Sequence, residues 1–321
     1  MFRPLGLAAW IAPLGAAALA ATLGTNDPAD VPYFVSAARL LFSAHWADTF
    51  ADPSLQVGPL QLLFFGVGDR IGGLGFLALA TEVGAAALVV FTVGQLLSDR
   101  RWRREAQLAV GLAAVALGLT TEAYGFGHPA QVAVPLLWIL AAREARSGRT
   151  IRSGALLGLG AGLELWGVLG LPVFLLSPTV RRALAGFATQ VAVTAAIYLP
   201  FVLAGNFRMF DHRWKIESWS LVHVLLGSGD FPWALRLVQG AAAVAAGTGI
   251  ALALRRSSAA LWAVPLAVIG VRLLLDPTLY SWYWLGPATV ALLAAADLAT
   301  RLAAHRRPLS AGLERRATQP G

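Results

Sequence analysis

The chain has no cysteine, a single lysine (Lys215) and two methionines among 321 residues, and only 13% of it is charged. Without cysteine it has no disulfide framework, no cysteine-ligated zinc site and no thiol nucleophile. A soluble domain is about 25% charged and about 45–50% apolar, whereas this chain is 57% hydrophobic with a mean hydropathy of +0.66. Too few polar side chains remain to cover a soluble surface, so an ordinary soluble protein is excluded and lipid must cover much of the molecule. Several chemistries are missing too. There is no P-loop, no G-x-G-x-x-G after a strand, no H-E-x-x-H and no G-x-S-x-G in a credible context. ATP hydrolysis, hydride transfer and zinc proteolysis therefore have no support. The internal repeats of secondary transporters and the paired intramembrane charges of proton pumps are not visible either.

What is present is apolar length. A spanning helix needs about 20 mostly apolar residues to cross about 30 Å of hydrocarbon. Runs of this kind lie at Leu5–Leu23, Leu74–Leu97, Ala106–Thr120, Pro129–Ala142, Leu184–Ala204, Pro232–Leu254, Ala259–Leu275 and Tyr283–Leu302. The run from Ser153 to Ser177 is interrupted by Glu164 and Pro172 and is expected to be two half-helices, rising and returning. The short run Pro59–Gly68, followed by Asp69-Arg70, is expected to stay shallow or re-entrant. The fold class expected is all-α: a polytopic membrane protein of about 8–10 transmembrane helices including a broken pair. Residues 1–304 are expected to form one transmembrane domain, and residues 305–321 a basic, disordered cytoplasmic tail.

The net charge of +8 would suit nucleic acid in a soluble protein, but arginine also holds loops on the cytoplasmic side of a bilayer. If each apolar run crosses once, 18 of the 25 basic residues fall on one side, from Arg3 through the clusters at Arg100–Arg104, Arg143–Arg152, Arg181–Arg182 and Arg255–Arg256 to Arg301–Arg316. That side is expected to be the cytoplasm and to hold both termini of a multi-pass plasma (inner) membrane protein, with no nucleic-acid partner. Arg3 ahead of an apolar run, with Ala18-Leu19-Ala20, also has the look of a signal peptide; it is read as a first span because that keeps the orientation consistent.

Three polar segments then fall on the outer side. In residues 24–58, Val31, Phe34, Val35, Ala38, Leu41 and Phe42 recur at helical spacing and predict an amphipathic helix in the interface, with Asp30 placed to cap it. Thr121–Pro129 crowds Glu122, Tyr124 and His128 into a glycine-rich turn. Residues 206–231 interleave Arg208, His212, Arg213 and Lys215 with aromatic rings, a mixture suited to an anionic lipid head group. A fourth outer turn carries Arg272, Asp276-Pro277 and the aromatic run Tyr280–Trp284. The plainer readings are helix caps and solvated carboxylates for the aspartates, interfacial anchoring for the aromatics, a turn residue for His128 and bulk lipid binding for the basic cluster. Glu82 and Glu164 resist such readings, since a carboxylate at the bilayer centre costs about 2.5–3.5 kcal/mol unless paired or hydrated.

Asp30-x-x-x-Phe34-x-x-Ala37-Ala38-x-x-Leu41 is followed by Gly58-Pro59-Leu60 opening the next apolar run. Further on come Gly127-His128-Pro129 at the head of a span, the stretch Arg149–Leu159 leading into a broken helix, and Arg272-x-x-x-Asp276-Pro277 with Tyr283. In this order they resemble the GT-C glycosyltransferase superfamily, and in particular the polyprenyl-phosphate-mannose-dependent mannosyltransferases of glycosyltransferase family 87. The chain departs from that family in being short, with fewer later spans, and in carrying Glu164 where the family often has lysine in the broken helix. The resemblance implies inverting transfer of a sugar, mannose favoured, from a polyprenyl-phosphate donor to a lipid-linked or cell-surface glycan on the non-cytoplasmic side. It implies Asp30 as the base with Asp27 in reserve, and Arg208, Arg213, Lys215, His128 and His212 around the donor phosphate. Glu122, Tyr124, Glu164, Arg272 and Tyr283 complete the candidate pocket. No cofactor is required and no metal site is assigned, although loop carboxylates could hold a hard divalent cation. Two rival functions share these features: a polyprenyl-phosphate translocase, which needs no carboxylate base, and a non-catalytic scaffold subunit of a glycan-assembly complex.

Overall fold

In the computed structural model, which describes residues 4–24, 28–98 and 101–305, the chain is 78% helical. Asp27, Arg3, Arg100 and residues 306–321 of the expected tail lie outside the described residues. The helices are α1 (Pro4–Leu23), α2 (Val31–Leu41), α3 (Pro59–Leu96), α4 (Arg103–Ala116), α5 (Leu119–Gly125), α6 (Ala130–Arg146), α7 (Thr150–Leu163), α8 (Val180–Ala204), α9 (Leu221–Leu226), α10 (Trp233–Ala253), α11 (Ala260–Leu274) and α12 (Leu285–His305). Two three-residue strands, β1 (Arg213–Lys215) and β2 (Asp230–Pro232), pair antiparallel with Trp214 opposite Phe231. Among the described residues, five helices are long and apolar enough to cross a membrane, in α1, α3, α8, α10 and α12, and the α4–α5 pair, bent by 42°, makes a sixth candidate. The expected spans at 129–142 and 259–275 are α6 and α11, whose 17 and 15 residues reach only about 25 and 22 Å.

Helix α3 is not one straight span. Gly72 leaves helical geometry and Gly73 takes φ +63°, ψ −154°, a conformation open to glycine and costly for any side chain. The Pro59 half folds onto α2, where Arg39 Nε donates to Asp69 at 3.1 Å and the Arg70 guanidinium sits 4.1 Å from the Phe42 ring centre. The half from Leu74 onward is by itself long enough to cross, at about 35 Å. Helix α2 is amphipathic as expected: Val31, Phe34, Val35 and Ala38 are buried while Tyr33 and Leu40 face out.

The interrupted run also forms as read. Helix α7 stops at Glu164, whose backbone is extended, and a 3-10 segment (Leu165–Leu176) returns. The arms touch where Gly167 meets the backbone of Gly160, a contact that leaves no room for a Cβ on Gly167, and Trp138 Nε1 donates to the Gly167 carbonyl at 3.0 Å. The tip is pinned by Gly58 N–H donating to the Leu163 carbonyl (2.7 Å) and by the Tyr198 hydroxyl donating to the Ala161 carbonyl (2.9 Å).

Polar segments gather at one end of the helices. Ala29 N–H donates to the Gly125 carbonyl, Arg208 N–H to Phe50, Gln56 Nε2 to Met209 and Glu217 N–H to Pro277, joining all four segments read as outer. The arginine loops meet at the other end, where Arg146 donates to the Arg256 and Ser257 carbonyls and Arg255 to Ser177. This is the segregation that the arginine bias anticipates.

Gly154, Gly158 and Gly162 recur every fourth residue on α7, and α8 lies on the first two: a Cβ at Gly154 meets the Gly186 carbonyl, and one at Gly158 meets Val193. Such small-residue stripes let helix backbones approach closely where lipid gives no hydrophobic drive to associate. Replacing Gly158 with leucine should lower the thermal unfolding midpoint in detergent, a cost of about 1–3 kcal/mol. Gly249→Leu, with open space around it, should leave the midpoint near wild type. Equal midpoints would show that this seam does not hold α7 to α8.

Candidate active site

The polar segments enclose one end of a cavity of about 850 Å³. Phe34 and Val57 from the cluster around α2, and Leu169, Leu171 and Tyr283 from the main core, all line it, so it sits where the two apolar clusters meet. Its walls change character along their length. Near the polar cap they carry Asp30, His128, Glu164, Gln131, Arg236 and Arg272; deeper down, Val168, Leu169 and Leu171 of the 3-10 segment face Leu237, Ala241 and Val244 of α10.

At the polar end a single line of contacts connects two carboxylates through an imidazole. His128 Nε2 lies 3.0 Å from Asp30 Oδ2, and His128 Nδ1 lies 3.3 Å from Glu164 Oε1. Glu164 Oε2 accepts from Gln131 Nε2 (2.8 Å) and from Trp166 Nε1. The imidazole is stacked on Trp282, centre to centre 4.6 Å, and Tyr280 stacks on the same indole at 4.4 Å. Stacking fixes the ring plane and the carboxylates fix its rotation. Burial alone would push the His128 pKa down, but the hydrogen bonds from Asp30 and Glu164 outweigh it and hold the pKa above its ordinary 6.5. As imidazolium it donates to both carboxylates.

The two carboxylates differ in access. The Glu164 side chain is 6% exposed and the Asp30 side chain 39%. Asp30 stands at the N-terminus of α2, yet its side chain makes no cap hydrogen bond, so the helix-cap reading is corrected: Oδ2 goes to His128. Among the described residues no hydrogen bond ties Oδ1.

Opposite stand two arginines. Arg236 donates to Asp276 at 2.6 Å and to Gln239 Oε1 at 2.9 Å, its guanidinium lies 4.0 Å from the Trp214 ring centre, and among the described residues its Nε has no partner. Arg272 is 7% exposed, with its guanidinium 4.6 Å from the Trp166 ring centre and 4.9 Å from that of Tyr283. Among the described residues no carboxylate lies within 4.0 Å of that guanidinium and no acceptor takes its N–H groups. A buried cation without an acid partner is costly, and an incoming anion relieves the cost.

The sequence-based site is thus partly brought together. Asp30, His128, His212, Glu164, Arg272 and Tyr283 line the cavity. Arg208, Arg213, Lys215, Glu122 and Tyr124 do not. Arg208 is paired with Asp211 and Lys215 with Asp230, each on the exposed face of the cap, and Arg213 points out from the strand on the side away from Trp214. Tyr124 is turned into the protein, donating to the Leu74 carbonyl at 3.0 Å, and Glu122 lies on the first turn of α5. The His212 pKa is pushed below its ordinary 6.5 by burial and by the nearby Arg236, against the pull of Asp52. Gln131, Arg236 and Gln239 enter the wall unanticipated; each sits within an apolar run, and that isolation was the available signal. Among the described residues no three His, Asp or Glu side chains gather as a cation site, because His128 turns one nitrogen to each carboxylate instead of sharing a centre with them. The chain matches no family model, no curated protein and no solved structure.

The raised His128 pKa sets a stability slope. The contribution of the protonated ring is complete below its ordinary 6.5 and is lost as pH rises through the higher folded value. The unfolding midpoint of wild type, compared with His128→Gln, should therefore fall as pH is raised from below 6.5. Parallel midpoint curves for the two proteins would show that His128 carries no such charge.

Proposed function

We propose that the protein is a membrane glycosyltransferase that moves a sugar from a polyprenyl-phosphate carrier to a hydroxyl of a lipid-linked or surface glycan, with inversion. The observation that carries this reading is the union, in one cavity, of an accessible carboxylate, a buried arginine without an acid partner and an apolar groove. A lipid chain fits the groove between the 3-10 segment and α10, and its phosphate then comes to the charged end where Arg272 stands. No nucleotide site is needed, in keeping with the missing nucleotide motifs. A translocase would use the groove and the cation but has no need of Asp30, and a scaffold subunit would need none of the three.

In the reaction the acceptor oxygen bonds to the anomeric carbon as the bond from that carbon to the phosphate oxygen breaks. The electron pair leaves with the phosphate, and the hydroxyl proton passes to Asp30 Oδ1. A hydroxyl is a poor nucleophile unless a base is within hydrogen-bond reach, and the departing phosphate gains charge that a fixed guanidinium offsets. His128 holds Asp30 in place and Glu164 holds His128. By the positive-inside rule the cavity opens on the non-cytoplasmic side of the plasma membrane, with both termini in the cytoplasm. Mannose remains the favoured sugar.

Membranes expressing the chain should transfer radiolabelled mannose from a polyprenyl-phosphate donor. Asp30→Asn should cut the rate about 100-fold or more, and Arg272→Gln about 10- to 100-fold, at matched expression. Wild-type membranes that bind the donor but transfer nothing, or full activity in Asp30→Asn, would overturn the reading.

A further inference from the structure

The segment between α8 and α10 carries a feature that the transfer reaction does not use. Its stem is rigid. Strands β1 and β2 pair, Trp214 packs edge-on against Trp233 at 5.4 Å, and Glu217 N–H donates to the Pro277 carbonyl at 2.9 Å. Ser220 and Val222 are buried at its base. Beyond this stem the tip turns large apolar side chains outward: Trp219 is 58% exposed, Val224 78%, Leu225 64% and Leu226 56%. A run of this kind facing water is not tolerated without a partner, since apolar area costs roughly 25 cal/mol per Å² to keep wet.

Two observations identify what covers it. The stem is tied to the turn between α11 and α12, at the end of the helices where Val238 of α10, Leu274 of α11 and Trp284 show their own apolar surface to the outside. The tip adds further apolar surface at that end. The segment is also electrically neutral, with Arg208, Arg213 and Lys215 balanced by Asp211, Glu217 and Asp230, and two of these pairs are joined as ion pairs. Nothing in it selects a strongly charged partner.

We propose that the tip, residues 219–226, is seated in the bilayer surface as an interfacial anchor, with α9 buried at the level of the head groups and upper acyl chains. An anchor of this type binds through apolar area, and with no net charge it takes neutral and anionic lipid alike. Because His212 and Trp214 on the same stem line the cavity, the anchor holds that rim of the cavity at the lipid surface.

The absence of cysteine allows a direct test on the full-length chain. Val224→Cys, bearing a nitroxide, is placed in nanodiscs of phosphatidylcholine alone or mixed with phosphatidylglycerol, and its collision rates with oxygen and with a nickel chelate are measured. Val238→Cys on α10 serves as the bilayer reference and Lys215→Cys as the aqueous one. The oxygen-to-nickel ratio at position 224 should approach that at 238 and exceed that at 215 several-fold, in both lipid compositions. A ratio near that at 215 would overturn the proposal, as would a label shielded from both reagents, which would indicate a protein contact instead. A ratio that rises only with phosphatidylglycerol would also overturn it, by showing attraction to charge. Leu226→Cys repeats the measurement if the first variant does not fold.

Discussion

The carboxylate of Glu164 constrains everything around it. It is buried between two apolar arms, at the point where α7 ends and the chain turns back. A carboxylate there must be supplied with donors or it unfolds the turn. Three side chains provide them: Gln131 from α6, Trp166 from the returning arm and His128 from the turn before α6. Each donor fixes a piece of the fold. Gln131 sets the rotation of α6 against the hairpin, Trp166 sets the first turn of the 3-10 segment, and its indole in turn gives Arg272 a face to rest on. His128, once committed to Glu164, has one nitrogen left, and that nitrogen positions Asp30. A single buried charge thereby orders both walls of the polar end of the cavity.

The hairpin can hold Glu164 at that depth because its arms and neighbours are bare of side chains where they meet. Gly160 against Gly167, and Gly58 against Gly162, bring backbone onto backbone. The Gly58 amide then donates to Leu163, one residue before the turn. A side chain on Gly58 or Gly167 would lift the tip, and the carboxylate would lose its register with His128 and Gln131. Close packing and the polar network are in this way one construction, since the donors reach Glu164 only when the glycines let the backbones approach.

Much of this was legible in the sequence, and the limits have physical causes. The amphipathic period of α2, the interruption at Glu164 and the segregation of arginine depend on local pattern and charge count, which a sequence displays directly. Glu164 stood out because a carboxylate in an apolar run is costly, whereas Asp30, His128 and Arg272 came from the polar outer segments and the family resemblance. The same reasoning misjudged Arg208, Arg213 and Lys215. Their density among aromatic rings looked like a binding surface, but a strand alternates its faces, so Trp214 turns to the cavity while Arg213 and Lys215 turn away. Tyr124 was misplaced because helix α5 rotates it toward Leu74, a rotation set by a bend at Gly118 that no periodicity over seven residues reveals. Arg236 and Gln239 were passed over as ordinary residues at the head of a span. Their importance depends on Asp276, which is distant in sequence and reaches them only once α10 lies against α11.

The two arginines of the cavity are not equivalent, and the difference follows from their partners. Arg236 is neutralised by Asp276 and further held by Gln239, so its charge is largely spent on joining α10 to the turn after α11. Among the described residues, Arg272 is held by aromatic faces alone, which attract a cation without cancelling it. The first therefore builds the wall and the second supplies the field. Asp30 and Glu164 divide their work in the same way: Glu164 is consumed by three donors, whereas Asp30 gives one oxygen to His128 and keeps the other. On each side of the cavity a satisfied charge supports an unsatisfied one. The unsatisfied pair, a carboxylate oxygen and a guanidinium, is the pair that a reacting hydroxyl and a departing phosphate would require.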